Sequence, residues 1–421
     1  MNGSRNTPVL LEEYFCSLAL AASPACSATP LPAQHLRPGP PPHYAGERVL
    51  ERGSYLGRVK SLLAKLAEKG LKGAIILGSS NILYFTGTDA ASALVVGEGG
   101  ECILLASRLE YTRALDEAKV GAVYAYSELE APTASYERVI RADLYGALRK
   151  ALEELGLEPA RVGVTVAQLS YKAYCRLKDA LGGEPADVSP LVSGMRAVKS
   201  REELSLIMRA IEVAEASMKK VLSALERGVR EYELAALAVS EIRARGAIPA
   251  FEPIVAFGEH AAHPHAKPGS RELREGDVVK VDLGAKVGGY CSDITRTAAL
   301  GEPPQKLRSV LRAVVKAQEE AIHALTKSVA ARDVDAKARE VMRSEGLLEY
   351  FIHGLGHGIG LDVHEAPSLS PGSRDMLEAG MVATVEPGVY IRGVGGVRVE
   401  DDVLVMEDGA RVLSKLDKLL F

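Results

Sequence analysis

The chain has 421 residues, 47% of them hydrophobic and 25% charged, with a formal net charge of -4. This is ordinary globular composition with length for more than one domain; without a basic excess it argues against a nucleic-acid partner, and no apolar run is long enough to span a bilayer. The five cysteines, Cys16, Cys26, Cys102, Cys175 and Cys291, are scattered, odd in number and form no CxxC pair, which speaks against a disulfide framework or thiolate zinc site and for a reducing, cytoplasmic location.

Residues 1–46 stand apart. SPACSATPLPAQHLRPGPPPH is rich in Pro, Ala and Ser and has no periodicity, so the segment reads as a disordered extension or as sequence upstream of the natural start. The preceding FCSLALAA has the look of a signal core, but Glu12 and Glu13 sit where positive charge belongs. From residue 50 to 195 an α/β pattern predicts a mixed sheet with packed helices. YLGRVKSLLAKLAEKG is an amphipathic helix stopped by Gly70; GAIILG, SALVVG, ECILLA, GAVYAYS and RVGVTV are strands; helices are expected over 107–118, 137–155 and 168–181. A boundary falls at 190–200. A second domain, 199–421, opens on the capping box Ser200-x-x-Glu203. The following helix carries Leu204, Ile207, Met208, Ile211, Met218, Val221 and Leu222 on one stripe and is expected to run to Gly228. A helix over 230–245, then strands with two more helices near 304–327 and 333–345, make this half α+β.

The chemistry is concentrated in that half. KVDLGAKVGGYCSDITRT places Asp282 on an apolar strand and Asp293 past a Gly-Gly turn. With the turn at Lys286–Gly289, the two aspartates stand directly opposite each other, which is destabilising unless a cation lies between them; the alternative is that one of them faces solvent. ATVEPGVYIRGVGGVRVEDDVLV repeats the pattern, since a turn centred on Gly393 sets Glu386 opposite Glu400. Of nine histidines, seven lie between 260 and 364, and apart from His323 they form two groups of three: His260, His263 and His265, then His353, His357 and His364. A single histidine is more often structural than a ligand, but six beside four inward carboxylates are not explained that way. An imidazole with four carboxylates and no thiolate suits Mn²⁺, Co²⁺ or Fe²⁺, with Zn²⁺ also admissible, and five ligands that include bridging carboxylates fit two ions better than one. Competing motifs fail: GLGHGIG is not GxGxxG, there is no phosphate loop or GxSxG elbow, and His364-Glu365 is not followed by xxH. Cys291 reads as core.

The set DLG…SDITRT, GHGIGLDVHE, VEPGVY and RVED resembles the pita-bread metallopeptidases, the group of prolidase, aminopeptidase P and methionine aminopeptidase. FEPIVAFGEHAAHPHAKP, SGMRAVKSREELSLI and NILYFTGTDAASALVV are similar to the Xaa-Pro-cleaving branch, and the resemblance runs from about residue 55 to the end. It implies a creatinase/prolidase-like N-terminal domain, a pita-bread catalytic domain and usually a homodimer. It also implies that Asp282 binds one metal, Asp293 and Glu400 bridge both, and His357 and Glu386 bind the second. A bridging hydroxide would attack the carbonyl before proline, with Glu386 as the proton shuttle. By the same resemblance His265 and His364 hold the substrate and its oxyanion, and Arg398 orients Glu400. His353 is expected to be structural. The implied activity is Xaa-Pro dipeptide hydrolysis, towards which the absence of tryptophan tilts the reading. The alternative is an Xaa-Pro aminopeptidase acting on longer peptides; a metal-free pita-bread binding module and a purely structural metal site are the competing classes.

Overall fold

The computed structural model describes residues 50–421, so the expectation for residues 1–46 falls outside it. The first helix, α1 (Arg52–Ala67), buries Tyr55, Arg58, Val59, Leu62 and Leu66, a stripe at helical spacing that lies against the first sheet. That sheet comprises β1 (Gly73–Ile76), β2 (Ala93–Val96), β3 (Cys102–Ser107), β4 (Ala122–Tyr126), β5 (Val139–Ile140), β6 (Val162–Val164) and β7 (Ala186–Asp187), in the order β5-β4-β3-β2-β1-β6-β7. Its β1–β2 and β2–β3 pairs are antiparallel and the remainder parallel, as expected of a mixed sheet. The helices between these strands are α2 (Ser79–Thr86), α3 (Tyr111–Glu117), α4 (Leu144–Glu154), α5 (Tyr171–Leu181) and α6 (Ser189–Ala197).

Two local expectations for this half require correction. Residues 137–143 do not begin a helix: Val139 and Ile140 pair with Ala125 and Tyr126 as an edge strand. Helix α4 starts only at Leu144, where the Asp143 carboxylate caps the Gly146 amide at 2.8 Å. Helix α2, absent from the sequence reading, is eight residues set between Gly78 and Gly87, both at positive φ, and is too short for its period to show.

The second half opens on α7 (Arg201–Leu222), whose capping box is present in full. Ser200 Oγ accepts from Glu203 N at 3.3 Å, and Glu203 accepts from Ser200 N at 2.9 Å. The other oxygen of Glu203 takes the Tyr290 hydroxyl at 2.7 Å and pairs with Arg58 at 3.1 Å, so this cap also joins the two halves. Ser200→Ala is expected to cost about 1 kcal/mol in urea unfolding. The buried stripe of α7 is Leu206, Ile207, Ala210, Ile211, Ala214, Met218 and Val221. Met208, expected on it, is 39% exposed, and the helix ends at Leu222 rather than Gly228. Helix α8 (Glu231–Ala244) follows, with α9 (Gln305–Ala324) and α10 (Ala331–Ser344) later in the chain.

The strands of this half form small curved sheets. β8 (Ile248–Pro249), β11 (Ala285–Val287) and β12 (Tyr290–Cys291) form one; β9 (Ile254–Phe257), β10 (Val278–Leu283) and β13 (Ile294–Ala299) form another. A five-stranded sheet holds β14 (Gly356–Gly358), β15 (Glu365–Leu369), β16 (Val382–Val385), β19 (Asp401–Val405) and β20 (Ala410–Val412), and β17 (Gly388–Ile391) pairs with β18 (Gly395–Arg398). Burial on both faces explains why β10, β16 and β19 read as Val-rich runs without clean alternation. Two apolar clusters result. One runs from α1 through α7 to β10; the other packs α9 and α10 on β16 to β19.

Candidate metal centre and active site

The first hairpin turns more tightly than expected. Val287 pairs with Tyr290 and Lys286 with Cys291 around Gly288 and Gly289, whose φ values are +54° and +88°, the two-residue turn that a Gly-Gly pair favours. On the far side Leu283 pairs with Ile294 and Asp282 with Thr295. The expected direct Asp282–Asp293 pairing is therefore off by two residues. Positions 293 and 295 share a face, so the aspartates still meet, diagonally rather than head-on. The second hairpin follows the expected register: Val385 pairs with Asp401 and Gly388 with Arg398, bracketing Glu386 and Glu400.

The glycines of GLGHGIG serve packing, not phosphate binding. A Cβ at Gly356 would lie 2.0 Å from Thr384 O, and one at Gly358 would lie 2.1 Å from Ala366 O. Bare backbone there lets β14 sit between β15 and β16, which brings His357 to the carboxylates. His357 N donates to Thr384 Oγ1 at 3.1 Å, and its Nδ1 lies 3.2 Å from Gly358 O. Nε2 then faces inward, 3.3 Å from Glu386 Oε1 and 3.8 Å from Asp293 Oδ2. Asp293, His357 and Glu400 each offer one atom within 4.8 Å of the others.

Arg296 braces Glu400 from behind. It is fully buried, donates to Glu400 O at 2.6 Å and pairs with Asp401 at 2.7 Å. Arg398, expected to orient Glu400, makes its direct bonds to other groups. It donates through Nη2 to Asp282, through Nη1 to the Tyr390 hydroxyl at 2.9 Å and through Nε to Thr295 Oγ1 at 3.0 Å. Thr295 in turn donates to Glu400 at 2.6 Å, so Arg398 reaches Glu400 through one hydroxyl. His353 bonds Tyr390 at 3.0 Å and Gly354 O at 2.7 Å, a satisfied residue beside the site.

Sequence reasoning missed Asp402. It is fully buried, accepts from Asp293 N at 3.1 Å and is pushed up to about 8 by burial. The available signal was its position two residues after Glu400 on a strand, hence on the same face.

The electrostatics divide the carboxylates. Burial first, then Glu400, Asp282 and Glu386, holds Asp293 well above the carboxylate range; burial, Glu386 and Asp282 do the same to Glu400. Burial also works against the ionised form of Glu386, but its hydrogen bond to His357 and the charges of His357 and Arg398 hold it below its ordinary value. Asp282 Oδ1, Asp293 Oδ1, Glu400 Oε1 and Asp402 Oδ1 are buried and accept no hydrogen bond from the described residues. Buried carboxylate oxygens with nothing to accept are costly. An oxygen-rich set with one imidazole fits hard or borderline divalent cations.

Two cavities flank this cluster. One, of 610 Å³, is lined by His263, His265, His353, His357, Glu386 and Arg398, a size usual for small-ligand sites. The other, of 360 Å³, is lined by His364 together with Asn81, Gln168 and Arg196 of the N-terminal half. His265 and His364 thus open to different cavities. The His364 ring lies 4.2 Å from that of His357, and burial followed by the His357 charge lowers its basicity. The segment that carries His364 is anchored by Arg196, which bonds Asp362 at 2.7 Å, Glu365 at 2.6 Å and Asn81 at 2.7 Å.

Comparison with known proteins agrees with this geometry. Residues 205–407 match the model of metallopeptidase family M24, and residues 58–198 match the creatinase/prolidase N-terminal domain. The Xaa-Pro dipeptidase of Pyrococcus furiosus is 33% identical over 366 residues, 86% of this chain and 99% of that protein. An Xaa-Pro dipeptidase structure from Bacillus anthracis superposes with a TM-score of 0.77 at 31% identity, covering 88% of this chain and 99% of that one. An X-Pro aminopeptidase structure from Thermotoga maritima gives 0.77 at 30% identity, covering 86% and 99%. The expected fold, a mixed-sheet α/β domain before an α+β pita-bread domain, is therefore present, and a carboxylate cluster built for cations on that fold has a plain explanation: the chain is a metallopeptidase of family M24.

Proposed function

We propose that this enzyme is an Xaa-Pro dipeptidase that uses two divalent ions per chain, Mn²⁺ or Co²⁺ ahead of Fe²⁺ or Zn²⁺. The observation that carries this reading is the convergence of buried, unpaired carboxylate oxygens on one imidazole beside a cavity of peptide size. The substrate class is supported by relatives that bear the name Xaa-Pro dipeptidase. Asp282 and Asp293 would hold one ion and His357 and Glu386 the other, with Asp293 and Glu400 shared between them. Such ions, when bound, acidify a water and polarise the scissile carbonyl.

The chain's own groups supply the rest. Glu386, kept ionised by His357 and Arg398, takes a proton from the attacking water and returns it to the departing proline nitrogen. His265, on the larger cavity, holds the substrate. His364, against His357, donates to the oxygen that gains charge. Arg398 keeps Asp282 in place and, through Thr295, Glu400. His364→Ala is expected to retain both ions by elemental analysis while kcat falls about 10²- to 10³-fold; loss of metal would make His364 a ligand instead.

The equal superposition of an X-Pro aminopeptidase favours a second reading, action on longer peptides. Hydrolysis of Met-Pro against Met-Pro-Ala by metal-stripped protein, with and without Mn²⁺ or Co²⁺, separates the two. Metal-dependent cleavage of the dipeptide alone supports the dipeptidase. Preference for the tripeptide supports the aminopeptidase, and no cleavage with any metal returns the chain to a binding role. We further propose an N-terminal domain over 50–195, a catalytic domain over 199–421, a cytoplasmic location and a homodimer, the last to be read by light scattering. No helix among the described residues is long and apolar enough to cross a membrane.

A further inference from the structure

Lys280 stands two residues before Asp282 on β10, on the same face of the strand, and is fully buried. A buried ammonium normally carries a carboxylate partner. Lys280 instead donates to three backbone carbonyls: Ala261 at 3.1 Å, His263 at 2.5 Å and Pro264 at 3.1 Å. All three belong to the short segment that ends in His265. Its Nζ also lies 5.0 Å from the centre of the Tyr390 ring, whose hydroxyl bonds Arg398 and His353. Arg398 reaches the same Pro264 carbonyl at 3.3 Å. On its other side the segment meets β18 so closely that a Cβ at Gly396 would lie 2.1 Å from Ala261 O.

We propose that Lys280 is a positioning residue for the peptidase reaction, which fixes residues 261–265 against the floor of the active site and so holds His265 over the larger cavity. Ala261 and Ala262 close a 3₁₀ turn (Gly258–Ala262) and residues 263–265 follow it as irregular backbone; three hydrogen bonds from one rigid strand hold this stretch to a single path beside the cavity. The lysine touches neither substrate nor metal in this account; it acts through the position of His265. The proposal rests on the peptidase reading above.

The test is a double-mutant cycle on the full-length, metal-loaded enzyme with Met-Pro, using Lys280→Met, His265→Ala and both together, alongside amide hydrogen exchange of residues 261–265. Misplacement of a substrate-holding group predicts that Lys280→Met lowers kcat/KM by about 10- to 100-fold with metal content unchanged. In the His265→Ala background the same change should cost less than about threefold, because the group being positioned is gone. Exchange at 261–265 should rise in Lys280→Met. Full cost of Lys280→Met in both backgrounds, or unaltered exchange, would overturn the proposal. If Lys280→Met does not fold, Lys280→Gln, which keeps two donors, takes its place under the same criteria. Wild-type protein that fails to cleave Met-Pro would refute the peptidase reading, while the exchange comparison would still decide whether Lys280 holds the segment.

Discussion

Asp293→Asn is expected to abolish peptide hydrolysis while leaving the protein folded and, without metal, at least as stable as the parent. Asp293 is buried among Glu400, Asp282, Glu386 and Asp402, which together with burial hold its carboxyl well above the ordinary range. In the metal-free chain this is like-charge repulsion concentrated at one side chain. An amide removes that charge and brings a donor close to Glu400, whose Oε1 accepts no hydrogen bond from the described residues. For the same reason the uncharged amide is a poor partner for a cation. Loss of a shared ligand should cost more than the roughly 10- to 100-fold in metal affinity that follows loss of an outer partner. The expected readings are no detectable Met-Pro cleavage, a thermal midpoint after chelation equal to or above that of the parent, and a smaller rise in midpoint on adding Mn²⁺. Normal turnover would remove Asp293 from the site.

The second large effect is on stability against pH. Asp293 and Glu400 have folded pKa values raised well above those of an unfolded chain, and Asp402 is raised to about 8. At these three groups the folded, metal-free protein therefore binds more protons than the unfolded one above about pH 4, the ordinary carboxylate value. The stability these groups contribute is fully present below about pH 4 and is lost as pH rises, for Asp402 until about 8. Divalent cations that keep the carboxylates ionised cancel this loss. Melting curves from pH 4 to 8 should show a gap between the Mn²⁺-loaded and the chelated protein that widens as pH rises. Asp402→Asn should flatten the slope of the chelated protein. A gap that narrows with rising pH would mean these carboxylates are compensated within the chain.

Much of this was legible in the sequence because the relevant signals are local. The α7 capping box, the alternating strands and helices and the symmetric Gly393 hairpin each follow from a few residues, and the structure reproduces them. The facing of Asp282 and Asp293 was legible for the same reason, since a strand's period of two survives an error of two in register. The register was not, because choosing between a two-residue and a four-residue turn at Lys286–Gly289 depends on both glycines taking positive φ. The Gly-rich run beside His357 excluded a phosphate loop, but its purpose lay in contacts with Thr384 and Ala366, distant in sequence. The resemblance implies that Arg398 orients Glu400 but not how: its guanidinium reaches across to Asp282 on another sheet and meets Glu400 only through Thr295. Lys280 and Asp402 look like ordinary strand residues in the sequence; only tertiary packing shows that both are fully buried and that neither makes an ion pair among the described residues.

The measurement closest to the central claim is metal stoichiometry. Protein stripped with chelator, reloaded with Mn²⁺ and separated from free ion should carry about two ions per chain by elemental analysis, and Met-Pro hydrolysis should return in step with loading. A chain that binds no Mn²⁺, or that cleaves Met-Pro equally well when stripped, would contradict the assignment of Asp282, Asp293, His357, Glu386 and Glu400 to a catalytic metal centre.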